Sequence, residues 1–244
     1  MLLRPPFENL YLKYLGLSQR EGNFEIPPAL YRSFLAAPYD LTPNFALPSY
    51  WKKREHDHPR YARFCYALAR TFHTSNILEV GTSAGGTTTG WAMALSEFLL
   101  QGKPVKLVCV DNDSYAEGVY PVITKKNISQ VGLPLSAVEF KTGDSKDVLP
   151  TLRQTHFNYF HLYLVDGDHS YEGALRDMVN GLPLMKKGGI IAVHDIDTGV
   201  PVAEATPDHP SPVYEAFMDF VSENKFRYYI FKFIRKHLGI IRVD

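Results

Sequence analysis

Net charge is the first thing this chain lacks: lysine plus arginine and aspartate plus glutamate number 26 each, for a formal net charge of +0 at neutral pH. Such a balance excludes a global field that would draw nucleic acid or an anionic membrane. Cysteine is scarce, with two residues in 244. Cys65 and Cys109 both stand inside apolar patterns, so they read as buried free thiols and not as a disulfide framework. No run is long or apolar enough to span a bilayer. The opening MLLRPPFENL has no signal-peptide core, since Arg4, Pro5, Pro6 and Glu8 interrupt it. These absences together place the expected protein in a reducing cytoplasm, with no nucleic-acid or membrane partner.

What is present is enough apolar material, 45% of the residues, to bury one sizeable core. From 60 to 195 short β-rich runs alternate with helical segments, the pattern of a parallel sheet covered on both faces. Pro59 opens a helix whose Tyr61, Phe64, Cys65, Leu68 and Phe72 repeat at helical spacing. Strands are predicted at NILEV, VKLVCV, VEFK, HLYLV and IIAVH, with helices near 86–100, 121–131, 145–154 and 170–180. Trp91 and Phe98 fall on a helix face and read as core. After Asp195 a loop leads to a helix that Ser211 is placed to cap, and FRYYIFKFI and LGIIRVD then read as an antiparallel hairpin. Residues 1–55, rich in proline and aromatics, show neither periodicity. They are expected to form an irregular arm before a domain spanning 56–244, with Tyr39, Phe45 and Trp51 serving either as an aromatic lid or as a self-association surface that would make a homo-oligomer.

The chemistry gathers at the strand ends. NILEVGTSAGGTTTG runs from strand through a glycine-rich turn into a helix, but its G-x-x-x-G-G spacing fails the dinucleotide fingerprint, Ser83 standing at the second glycine position. No lysine stands where a phosphate-binding P-loop needs one. Glu79 would repel a pyrophosphate there, yet could accept hydrogen bonds from a cationic or neutral ligand. The second strand ends in Asp111, placed for both hydroxyls of a ribose; the third ends in Gly143, Asp144 and Ser145, suited to an adenine edge; the fourth ends in Asp166. Open parallel sheets bind ligands beyond these carboxyl ends. In HLYLVDGDHSYEGALRDM the fourth strand stops at Asp166, with Asp168 and His169 just behind, and the fifth stops at His194–Asp195. A carboxylate at a strand end can simply cap the next helix, but so many ionisable groups at neighbouring tips call for a common purpose.

EVGTSAGG, VDND, TGDS, VDGDHSYEGALRD and KKGGIIAVHD, in that order, resemble the class I S-adenosylmethionine-dependent methyltransferases. The likeness is greatest to the metal-assisted O-methyltransferases that tailor sugars, macrolides and other small natural products. It covers residues 60–195 and not 1–55. The resemblance implies a Rossmann-like, doubly wound, seven-stranded α/β sheet, mostly parallel, with a C-terminal antiparallel hairpin. It implies methyl transfer to a small-molecule hydroxyl, with Glu79, Gly81, Thr82, Ser83 and Gly85 along the methionine end of the cofactor. Asp111 and Asn112 would take the ribose, Gly143, Asp144 and Ser145 would flank the adenine, and Asp166 would close the site.

It also implies a divalent cation on Asp166, His194 and Asp195, with His169 as base and Asp168 as second choice. His194 departs from the paired acids of that subgroup. Magnesium prefers oxygen, whereas imidazole suits softer ions, so a magnesium site, a softer metal and a metal-free site with His194 or His169 as base all stand open. Two other functions compete: a nicotinamide-dependent dehydrogenase, disfavoured by the failed fingerprint, and a non-catalytic protein that binds the same cofactor.

Overall fold

The computed structural model describes residues 20–24, 27–36, 58–114, 118–196, 211–232 and 237–244. Near-continuous apolar runs make the central strands: β2 (Asn76–Val80), β3 (Lys106–Asp111), β5 (Phe160–Val165) and β6 (Met185–His194) are buried along most of their lengths. β4 (Val138–Thr142) is half-buried beside β3, at the sheet edge. β2, β3, β4, β5 and β6 pair in parallel. The terminal hairpin, β7 (Arg227–Lys232) and β8 (His237–Arg242), joins antiparallel, and β8 lies between β6 and β7. These seven strands make up the expected sheet. A three-residue β1 (Arg20–Gly22) adds an eighth on the β7 edge, giving the order β1-β7-β8-β6-β5-β2-β3-β4.

On one face lie α1 (Pro28–Ala36), α2 (His58–Thr71), α3 (Gly86–Leu100) and α4 (Val119–Gln130); their core includes Leu30, Phe34, Phe64, Leu68, Trp91 and Ile128. On the other lie α5 (Ser145–His156), α6 (Tyr171–Gly181) and α7 (Pro212–Asn224), with Leu149, Met178, Phe217 and Phe220 inward. Trp91 and Phe98 are buried as expected, and Cys65 and Cys109 are buried free thiols. Among the described residues no helix is long and apolar enough to cross a membrane.

Three details differ from the sequence reading. The N-terminal segment is not irregular throughout, since β1 and α1 are regular and Leu30 and Phe34 belong to the core. α4 begins at Val119, before Pro121, behind Gly118 in a left-handed conformation. Ser211 precedes α7 without a side-chain cap bond; its hydroxyl donates instead to the Asp195 carbonyl at 3.2 Å, tying the start of α7 to the tip of β6. Tyr39, Phe45 and Trp51, the lid or self-association residues of the sequence reading, lie outside the described residues.

The chain steps outward from β2 through β3 to β4, then returns to place β5 on the other side of β2. The switch in strand order falls between β2 and β5, and the crevice beyond their carboxyl ends is where such sheets hold ligands.

Candidate active site

The β2–α3 turn forms one wall. Gly81 has φ +84, and a Cβ there would stand 1.9 Å from the Asp166 carbonyl oxygen, so only glycine lets the two strand tips approach this closely. Gly85, with φ +80, starts α3 and touches the Thr124 side chain in the same way. Glu79 is fully buried behind the turn. Thr87 and Thr88 donate their hydroxyls to its two carboxylate oxygens at 2.5 Å each, and Trp91 Nε1 adds a bond at 3.3 Å. Burial pushes the Glu79 carboxyl up to about 8 against these donors. Glu79, expected along the methionine end of a cofactor, braces the turn from inside.

Asp111 ties the turn to β3. The Ser83 N–H donates to one carboxylate oxygen and the Asp113 N–H to the other, both at 2.7 Å. Each oxygen keeps a lone pair for a further donor. Thr82, Ser83, Asp111, Asp113, Phe140 and Thr142 surround a small pocket at this point. Gly143 donates its N–H to the Asp111 carbonyl at 2.9 Å, holding the β4 tip beside it. Asp144 caps α5 by accepting the Lys146 N–H at 2.9 Å, which with the Lys146 ammonium holds its carboxyl below the usual range. Asn112 accepts the Ser114 N–H at 3.1 Å in an exposed turn. Ser145 points away from the crevice, its hydroxyl bonded to Asp177 Oδ1 at 2.6 Å.

The tips of β5 and β6 bring the ionisable groups together. His194 Nδ1 lies 3.0 Å from Asp166 Oδ1 and 3.2 Å from Asp195 Oδ1. His169 Nε2 lies 3.4 Å from Asp166 Oδ1 and 3.7 Å from Asp195 Oδ2. Burial would raise the Asp166 carboxyl, but the charge of His194 and the bond from His169 outweigh it and hold the group below the ordinary carboxylate range. The bond to Asp166 raises the His169 imidazole. Asp195 sits at φ +53, in the left-handed region that aspartate tolerates better than most residues. The ring of Tyr61, from α2, meets that of His194 edge-on at 4.6 Å between centroids.

Donor atoms of Asp166, His169 and Asp195 all lie within 4.8 Å of one another, a set that can hold a cation. His194, expected as a ligand, is buried and turned onto the two carboxylates, while His169, expected as the base, supplies the third donor atom. Asp168 stays outside: it accepts the Ser170 N–H at 2.9 Å and faces Arg176 at 3.8 Å, turned back along its own helix. The Ser170 N–H lowers its carboxyl, leaving a weak base.

Two residues escaped the sequence reading. Asp177 is a fully buried carboxyl raised to about 6 by burial; it bonds Ser145 and lies against Gly167 in the β5-tip loop. Its place on the α6 stripe, between Ala174 and Met178, was a readable signal. Tyr61 was read as core, and its meeting with His194 depends on how α2 docks.

The seven-stranded sheet, mostly parallel with a C-terminal antiparallel hairpin, has the Rossmann-like fold seen in solved methyltransferases. Residues 78–196, from β2 to just past Asp195, match the family described as a methyltransferase domain. Over 110 residues the chain is 32% identical to a catechol O-methyltransferase from Niastella koreensis, covering 45% of each protein, so it spans less than half the length of that curated relative. The O-methyltransferase TomG of Streptomyces achromogenes, involved in tomaymycin synthesis and solved with S-adenosylmethionine, shares the fold at TM-score 0.57, with 19% identity over 100% of both chains. The methyltransferase PaMTH1 of Podospora anserina, solved with S-adenosylhomocysteine, superposes at TM-score 0.62, with 14% identity over 100% of this chain and 98% of its own.

Proposed function

We propose that this protein transfers the methyl group of S-adenosylmethionine to a hydroxyl of a small molecule. The observation that carries the reading is the convergence of Asp166, His169 and Asp195 beside the Gly81 turn, so that a cofactor wall and an acid–base cluster share one backbone contact. The cofactor, when bound, supplies an electrophilic sulfonium methyl group. The turn through Gly81, Ser83 and Gly85 would face its methionine end, Asp111 and Asn112 its ribose, and the Gly143–Asp144 loop its adenine. Asp111 suits the ribose because both its oxygens are already held in place by backbone N–H groups and retain acceptor capacity.

A divalent cation fits the donor set of Asp166, His169 and Asp195. Such an ion, when bound, lowers the proton affinity of a hydroxyl it holds. His194 keeps the two carboxylates oriented through Nδ1, and Tyr61 packs the outer edge of its ring. Asp168 takes no part, because its carboxylate faces Ser170 and Arg176. His169 has two possible services, as base or as cation donor, and one nitrogen lone pair cannot give both at once.

The similarity to a catechol O-methyltransferase makes vicinal aromatic diols the first acceptors to test. The assay is transfer of a labelled methyl group from S-adenosylmethionine to a panel of catechols, phenols and sugars, with and without added divalent ions. Methylated product with an acceptor hydroxyl is the expected result, lost in Asp166→Asn and Asp195→Asn while both variants remain folded. Full activity in both variants would remove the cluster from the reaction.

A further inference from the structure

We infer that His169 is a cation ligand and not the catalytic base, and that the site it completes selects a first-row transition ion over magnesium. The inference rests on the methyl-transfer reading for what the ion does, and on geometry for where it binds. His169 Nε2 stands 3.4 Å from Asp166 Oδ1 and 3.7 Å from Asp195 Oδ2. Both separations exceed the range of about 2.7–3.2 Å for a good N–H···O bond. The contact to Asp166 is a long hydrogen bond, and the same nitrogen also faces Asp195, so it lies between two carboxylates.

Those separations match donor atoms that share a central ion. With metal–ligand bonds of about 2.1 Å, donors of one ion lie from about 3.0 Å apart when adjacent to about 4.2 Å when opposite in an octahedron, and about 3.4 Å apart in a tetrahedron, a span that includes both separations. The whole set falls within 4.8 Å and comes from two adjacent strand tips plus the loop between β5 and α6. Three protein donors leave positions open for substrate and water, as in catalytic sites.

His194 supports this division of labour. Its Nδ1 makes the shorter contacts, a hydrogen bond to Asp166 at 3.0 Å and an ion-pair distance of 3.2 Å to Asp195. It is buried while His169 is half-exposed. Carboxylate ligands are held by such outer hydrogen bonds, which fix their orientation. The inner donors are then two carboxylates and one imidazole. Magnesium dehydrates reluctantly and takes oxygen ligands, whereas manganese, iron, cobalt and zinc accept a mixed set.

The test uses the full chain, stripped of metal by a chelator and titrated calorimetrically with Mn²⁺ or Mg²⁺, with cobalt absorption as an independent report of imidazole ligation. Wild type is expected to bind Mn²⁺ at least about tenfold more tightly than Mg²⁺. His169→Ala should weaken Mn²⁺ by about tenfold or more and alter the cobalt spectrum, with circular dichroism and S-adenosylhomocysteine affinity unchanged. His169→Asp, which makes the donors all-carboxylate, should narrow or invert the preference. Unchanged Mn²⁺ affinity in His169→Ala would overturn the inference and return His169 to the role of base. Equal or tighter Mg²⁺ binding, or no ion binding at all, would overturn it too. Loss of ion binding alone sinks only this inference, whereas failure of wild type to bind S-adenosylhomocysteine sinks the methyl-transfer reading.

Discussion

Single residues decide the electrostatics of this site, and Glu79 shows how. Its carboxyl is fully buried and titrates at about 8, against about 4.3 for an exposed glutamate. Between those values the folded chain holds a proton that the unfolded chain has released, so stability falls as pH rises through the window and levels off above it. Glu79→Gln removes that proton exchange while keeping an acceptor for one of the Thr87 and Thr88 hydroxyls and offering its amide N–H to the other. Melting temperatures between pH 5 and 8 should therefore decline less in the variant than in wild type. Asp177, titrating at about 6, accounts for a remaining slope below that pH. Equal slopes in both proteins would mean that Glu79 is ionised in the fold. From sequence, Glu79 was visible as an acid at a strand end, but its direction was not. Residue type and position place Asp166 and Asp195 at their tips, whereas ring orientation decides which of His169 and His194 faces outward, and no spacing encodes that.

At the scale of elements, legibility followed the strength of the local signal. β2 occupies the five residues expected, because its Ile77, Leu78 and Val80 are followed directly by the Gly81 turn. β6 begins at Met185, before the expected Ile190, since Lys186, Lys187, Gly188 and Gly189 carry no apolar run yet lie within the strand. α5 extends through Pro150 to His156. α1 was missed, although Pro28 in its first turn and Leu30 with Phe34 one turn apart were available signals; the surrounding prolines and aromatics masked them. This helix is no loose appendage. Leu30 and Phe34 are buried, and the Phe34 carbonyl accepts a bond from Arg63 Nη2 at 3.1 Å. Phe34→Ala should cost about 3–5 kcal/mol by loss of buried surface and the cavity left behind. Chemical denaturation checks this, and a change below about 1 kcal/mol would show that α1 does not pack as described. Truncation of residues 1–50 is accordingly a test of stability before it is a test of specificity.

At the scale of the whole molecule, the described residues form an open sheet whose switch point gathers a glycine turn, the Asp111 carboxylate and an acid–imidazole cluster at one end. The doubly wound, mostly parallel sheet was implied by the resemblance over residues 60–195. The eighth strand was not, since three residues carry too little periodicity to register. The central claim is that this end holds S-adenosylmethionine, and equilibrium binding of S-adenosylhomocysteine to wild type and to Asp111→Ala tests it most directly. Wild type should bind, and the variant should lose about 10- to 150-fold in affinity, equivalent to about 1.5–3 kcal/mol for a charge-assisted contact. Equal affinity in the two proteins would contradict the ribose assignment, and a wild type that binds NAD but neither S-adenosylmethionine nor its demethylated product would contradict the account itself.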